Sequence, residues 1–212
     1  MSDFNLAQWF EEREEGFAER KCDKKLLCGH TCCGVSHSDA CLPCMELGCS
    51  ASKINKNELC AICYTSELGD EPCIELGCGH IYHAGCVKQL IEHGWSTLKI
   101  SFAFLSCPEC KAPIESSRFH MIRDLINTVL QLKAKVESEA LKVAERQGLL
   151  QDERLSDPND FYFEKPLEYA LHRCAFYACF TCKEPFFGGL IDCEQELQNE
   201  ERKEIDKSDL RC

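Results

Sequence analysis

Eight residues in the middle of the chain have the types and spacing of a metal centre: Cys60-x2-Cys63-x14-Cys78-x-His80-x2-His83-x2-Cys86-x20-Cys107-x2-Cys110. A CxxC turn presents two thiolates to one tetrahedral ion. It supplies half a site, which a second pair must complete. Four successive pairs therefore predict two zinc ions. A unit this small is expected to gain its stability from metal rather than from a core it is too small to build. Upstream, Cys22, Cys28, His30, Cys32, His37, Cys41, Cys44 and Cys49 offer further ligands, enough for one zinc or two. Cys33, adjacent to Cys32, is expected to be a bystander.

Composition agrees with thiolate chemistry. The chain has 212 residues, enough for one ordinary domain or two small ones, and 19 of them are cysteine. That odd count fits a closed disulfide framework poorly. The opening residues, MSDFNLAQWFEEREEG, lack the basic segment followed by an apolar stretch that marks a secretory leader. Reduced thiols are therefore expected, inside the cell and in the cytoplasm rather than the nucleus. No apolar run approaches the ~18 residues of a membrane span, so no membrane partner is expected. With 24 basic residues against 36 acidic, a net charge of -12, the chain is also not expected to bind nucleic acid.

The elements that must position these ligands can be read coarsely. The cysteines fall into three groups, at 22–49, 60–110 and 174–212. This suggests an acidic amphipathic segment at 1–21, a cysteine-rich finger at 22–52, the central unit at 58–113, a linking helix at 116–150 and a last cysteine module at 160–212. The helix is predicted from Ile122, Leu125, Ile126, Val129, Leu132, Val136, Ala140, Val143 and Ala144 at three-to-four spacing, with Ser116-Ser117 as cap and Gly148 as terminator. Residues 152–166 read as a turn-rich connector, with Asp157-Pro158 and Asn159-Asp160 as breakers. The acidic run 194–206 reads as a solvated surface. No internal repeat is evident.

The central order of three cysteines, two histidines and three cysteines resembles the RING-H2 pattern. A PHD finger would place one histidine after four cysteines. The resemblance implies a small ββα unit with interleaved sites: Cys60, Cys63, His83 and Cys86 on one zinc, and Cys78, His80, Cys107 and Cys110 on the other. It also implies that Ile62, between the first two ligands, and Pro108, in the last pair, receive a ubiquitin-charged E2 enzyme. Many RINGs that transfer ubiquitin directly carry an arginine just after the last ligand. Here that residue is Lys111, which lacks the planar bidentate fork.

The upstream CGHxC…CxxC core resembles the NF-X1-type zinc finger. Taken with LGCGHIYHAGC, ISFAFLSCPEC, the helix and YACFTCKEPFFGG-x3-C, the whole order from Cys22 to Cys193 resembles the C-terminal catalytic region of the Pam/Highwire ubiquitin ligases. That resemblance implies a zinc-stabilised α+β chain: an NF-X1-like finger, a RING-H2 cross-brace, a linking helix and a partial tandem-cysteine zinc module. It implies that Cys179 and Cys182 are a zinc pair, with Cys212 belonging to the pair that would complete their site. Cys193 matches the upstream relay cysteine, which accepts ubiquitin from E2 for onward transfer to a substrate hydroxyl. The implied partners are charged E2, ubiquitin and a protein substrate; the downstream relay cysteine has no counterpart in these residues. By its own chemistry Cys193 belongs to no CxxC pair, follows Gly188-Gly189, expected to be a loose segment, and stands among Asp192, Glu194 and Glu196, which would raise its pKa. Three functions remain open: a relay ligase, a plain RING ligase that discharges E2 onto lysine, and a non-catalytic zinc scaffold.

Overall fold

The computed structural model describes residues 20–36, 38–52, 54–114, 120–182 and 184–191. The chain divides into two compact units: one from the chain up to Ser96 with Phe102–Leu130, the other from Thr97–Ser101 with Gln131 onward.

The first unit is organised around two hairpins. Strands β1 (Cys73–Glu75) and β2 (Ile81–His83) pair antiparallel, with Cys73 opposite His83, Ile74 opposite Tyr82 and Glu75 opposite Ile81. All of these side chains except that of Glu75 are buried. Helix α1 (Ala84–His93) follows directly. It turns Ala84, Val87 and Ile91 inward at helical spacing and stops at Gly94, whose φ is +61°. This is the expected ββα unit. Two three-residue strands are marginal by themselves, and β1 gains a second neighbour. Gly34 bridges Cys73 in parallel, and the Cys73 N–H donates to the Cys33 carbonyl at 2.8 Å. Cys33, expected to be a bystander, thus serves through its backbone.

Gly34 belongs to the other hairpin, at residues 21–35, held by bridges of Lys21 with Val35 and Lys25 with Thr31. Its strands are tied further by N–H bonds from Cys22 to Gly34 and from Cys32 to Lys24, at 2.8 and 3.0 Å.

Helix α2 (His120–Arg146) is the long element of the chain. At 1.5 Å per residue it runs about 40 Å. All nine residues of the apolar stripe read from the sequence are buried. Gly148 takes a left-handed φ of +71° just beyond its end, where a glycine costs least. The expected cap, Ser116-Ser117, lies outside the described residues.

In the second unit, the connector folds back on itself through its aspartates. Asp152 accepts the Arg154 N–H, Asp157 that of Asn159, and Asp160 that of Tyr162, at 2.8 to 3.0 Å. Helix α3 (Pro166–Arg173) follows, with proline in its first turn. Tyr169 on α3 is fully buried and donates its hydroxyl to Asp152. His172 packs on the Tyr162 ring, with the ring centroids 5.2 Å apart.

Strands β3 (Cys174–Ala178) and β4 (Pro185–Leu190) pair antiparallel, with an irregularity between Ala175 and Phe176. Residues 97–101 lie along the other edge of β3: Lys99 bridges Tyr177, and the Ile100 N–H donates to the Phe176 carbonyl at 2.8 Å. Gly188-Gly189, expected to be a loose segment, is part of β4. The reason is steric: a Cβ on Gly188 would lie 2.1 Å from Cε2 of Tyr177, so only glycine admits that ring. Gly188→Ala should therefore destabilise the β3–β4 hairpin by about 1–3 kcal/mol. Hydrogen exchange over 174–190 should quicken, and much less so when Tyr177→Ala is already present. Equal losses in both backgrounds would remove the steric explanation.

Candidate metal centre

The β1–β2 hairpin and α1 carry half of the eight central ligand candidates. Cys78 and His80 stand at the hairpin tip, His83 ends β2, and Cys86 lies in the first turn of α1. Cys60/Cys63 and Cys107/Cys110 sit on two turns of one design. The residue after each pair, Tyr64 or Lys111, adopts a positive φ of 55° or 61°. Each sends its N–H back to the carbonyl of the first cysteine, Cys60 or Cys107, at 2.8 and 3.0 Å. That closed turn points both thiols the same way.

The eight residues assemble into two interleaved groups: Cys60, Cys63, His83 and Cys86, and Cys78, His80, Cys107 and Cys110. Within each, every ligand atom lies within 4.8 Å of the others. Fully buried His83 places Nδ1 3.7 Å from the sulfurs of Cys63 and Cys86. Its Nε2–H donates to the Glu67 carbonyl at 2.9 Å, which leaves the Nδ1 lone pair facing the thiols. His80 repeats the arrangement, with Nδ1 3.3 Å from Cys78 Sγ and Nε2 3.5 Å from a Glu109 carboxylate oxygen. The hydroxyl of fully buried Tyr82 approaches Cys107 Sγ at 3.0 Å and can donate to its thiolate.

Electrostatics divides the thiols of each group. Cys63 is pulled down to about 6, chiefly by the Thr65 hydroxyl and then by the Thr65 and Ser66 N–H groups. Burial pushes Cys86 up to about 12, aided by the charge of Cys60. In the other group burial raises Cys78 to about 11. Burial also acts upward on Cys107, but hydrogen bonds from the Cys110 backbone, Tyr82 and the Glu109 backbone bring it down to about 7. Several thiols crowded within 4.8 Å resist ionising together unless a cation shares their charge. Three sulfurs and one imidazole nitrogen are a donor set that suits tetrahedral zinc, and zinc is the cofactor of these centres.

Residues 58–111 match the ring finger domain family. The wider chain is 36% identical over 185 residues, 85% of its length, to the E3 ubiquitin-protein ligase MYCBP2 of Danio rerio. It is 30% identical over 209 residues, 92% of its length, to the E3 ubiquitin-protein ligase highwire of Drosophila melanogaster. The chain belongs to the Pam/Highwire family. It spans about 4% of the length of each of those two relatives. A shorter likeness, 30% identity over 66 residues, covers 31% of this chain and 35% of the probable E3 ubiquitin-protein ligase XERICO of Arabidopsis thaliana.

Three further candidates from the sequence lie at the edge of the RING. Ile62 and Pro108 are each half-buried on a ligand turn. Lys111 is exposed and its Nζ donates to the Pro108 carbonyl at 2.8 Å. Of the third cysteine group, Cys174 is buried in β3, Cys179 is buried and Cys182 is exposed. Cys193 and Cys212 lie outside the described residues, as does His37. The remaining finger candidates gather in two sets: Cys28, His30, Cys44 and Cys49, and Cys22, Cys32 and Cys41. Among the described residues no helix is long and apolar enough to cross a membrane.

Two features escaped sequence reasoning. The Tyr82 hydroxyl on Cys107 joins residues 25 positions apart and leaves no mark in the spacing. The other feature was readable: Leu-x-Cys-Gly-His occurs twice, at 26–30 and 76–80, although no internal repeat was recognised.

Proposed function

We propose that this chain is the RING-bearing part of an E3 ubiquitin-protein ligase. It would receive a ubiquitin-charged E2 on the two ligand turns that carry Ile62 and Pro108 and take ubiquitin onto Cys193 as a relay thioester. The observation that carries the reading is the interleaved pair of Cys/His groups, whose ligand turns each carry a half-buried residue, Ile62 on one and Pro108 on the other, in a chain of Pam/Highwire ancestry. In such a ligase the metal fixes backbone and the protein positions E2. Zinc supplies structure and takes no chemical step.

Transfer is then a thiol exchange. The Cys193 thiolate attacks the carbonyl carbon of the E2-ubiquitin thioester, a bond to Cys193 Sγ forms, and the E2 cysteine leaves as thiolate. The acyl group would pass on to a substrate hydroxyl. Lys111 in place of a bidentate arginine supports a relay over direct transfer, because an ammonium lacks the fork that holds two partners together. The chain is pinned just before this cysteine: the Ile191 N–H donates to the Arg173 carbonyl at 2.7 Å.

Incubation with charged E2 tests this. A ubiquitin adduct that reductant removes should form on the chain, and Cys193→Ser should convert it to a reductant-stable oxyester or abolish it, with zinc content unchanged. Fast discharge onto free lysine that ignores Cys193→Ala would instead assign a plain RING ligase. No discharge at all would leave a zinc scaffold.

A further inference from the structure

The finger hairpin and the RING hairpin share one metal-binding turn. In the RING, Leu76-Gly77-Cys78-Gly79-His80 forms the tip. The Gly79 N–H donates to the Leu76 carbonyl at 2.9 Å, the Leu76 N–H to the His80 carbonyl at 2.9 Å, and Gly79 has a φ of +88°. In the finger, Leu26-Leu27-Cys28-Gly29-His30 repeats every part. The Gly29 N–H donates to Leu26 at 2.8 Å, the Leu26 N–H to His30 at 2.8 Å, and Gly29 has a φ of +83°. The left-handed glycine lets the backbone reverse between a thiol and an imidazole two residues apart, so that both face one point. The same ring nitrogen is used: His30 Nδ1 lies 3.5 Å from Cys44 Sγ, as His80 Nδ1 lies 3.3 Å from Cys78 Sγ. Across from the tip, Cys44 and Cys49 take the place that Cys107 and Cys110 take in the RING. Gly48, before Cys49, again has a positive φ, +80°.

The other finger thiols are excluded from this cluster and form their own. Cys22 and Cys32 face each other across the hairpin below its tip, joined by Cys41, with all three sulfurs within 4.8 Å. The Gly34 N–H points at Cys32 Sγ at 3.3 Å, the bond a metal-bound thiolate accepts in such turns. Cys33, next to Cys32 in sequence, joins neither set.

We propose that the finger holds two zinc ions. One is bound by Cys28, His30, Cys44 and Cys49 on a duplicate of the RING's CGH hairpin, and the other is anchored by Cys22, Cys32 and Cys41. The second ion clamps both strands of the hairpin at the level where Gly34 meets β1. The finger is therefore a metal-braced extension of the RING sheet, a binding site separate from E2 recruitment and from the relay.

Zinc content of the full chain, measured by mass spectrometry of the metal, tests the partition in pairs of substitutions. Cys28→Ser with Cys49→Ser should remove one ion per chain, and Cys22→Ser with Cys41→Ser should also remove one. The crossed pair, Cys28→Ser with Cys41→Ser, should remove two. A loss of one ion in all three would mean a single shared site, and no loss would mean a metal-free finger; either overturns the proposal. If each pair collapses the finger and removes two ions, the unmodified chain decides. Under limiting chelator, Cys28, Cys44 and Cys49 should become open to alkylation as one set, separately from Cys22, Cys32 and Cys41. Release of all six together would refute two independent ions.

Discussion

Cys60→Ser should unfold the RING. The side chain is fully buried at the centre of the group it forms with Cys63, His83 and Cys86, and a serine hydroxyl is a poor substitute for a thiolate there. Binding of a structural zinc contributes ~10–16 kcal/mol in small metal-held domains, as much as the ~5–15 kcal/mol that a whole domain has to spare. The expected result is loss of at least one zinc, loss of the cooperative thermal transition of this unit and E2 discharge at background. Cys73→Ala is the informative contrast. Cys73 is just as buried and donates its Sγ–H to the Leu68 carbonyl at 3.0 Å, but it belongs to neither metal group. Removing it should cost about 1–3 kcal/mol and leave the zinc in place. If both variants lost metal equally, the assignment of ligands to these eight positions would be wrong.

Ile62→Ala should do the opposite: keep zinc and fold while losing E2 discharge. Its backbone is already fixed between Cys60 and Cys63, whose turn is closed by the Tyr64 N–H. Its side chain is only half-buried, so the variant gives up little packing within the chain. As the E2 contact proposed above, the side chain should contribute about 2 kcal/mol or more, roughly thirtyfold in rate at sub-saturating E2. A normal thermal transition with full zinc and discharge reduced by that factor is the expected outcome. Loss of zinc would reassign Ile62 to the core. Lys111→Arg probes the neighbouring position. Its left-handed backbone is kept by the turn, so the arginine changes only the head group, and direct discharge to lysine should rise while the Cys193 adduct stays unchanged.

Local and metal-driven structure was legible because its causes are local. The stripe from Ile122 to Ala144 has the helical period, and all of it is buried. The interleaved groups followed from ligand order once the RING pattern was recognised. What was not legible depended on partners distant in sequence. The bond from Cys73 to the Cys33 carbonyl joins backbone groups, which no side-chain pattern encodes. Residues 97–101 lie inside the interval between Cys86 and Cys107, yet they pair with β3 and belong with it to the second unit, because a long ligand spacing leaves chain to spare. Gly188 was misread for a related reason: a glycine required by a ring packed over it looks, in sequence, the same as a glycine that loosens a loop.

The bridge between Gly34 and Cys73 also bears on how this chain can be dissected. A strand with an unpaired flank is a template for a second molecule, and native proteins cover or blunt such flanks to stay monodisperse. Here β1 has β2 on one side and the finger on the other. A fragment cut just ahead of Cys60 would keep all eight RING ligands but expose the flank of β1, with the Cys73 N–H left without its acceptor. Such a fragment should bind its zinc and still tend to self-associate, a sheet-edge fault that added zinc would not cure.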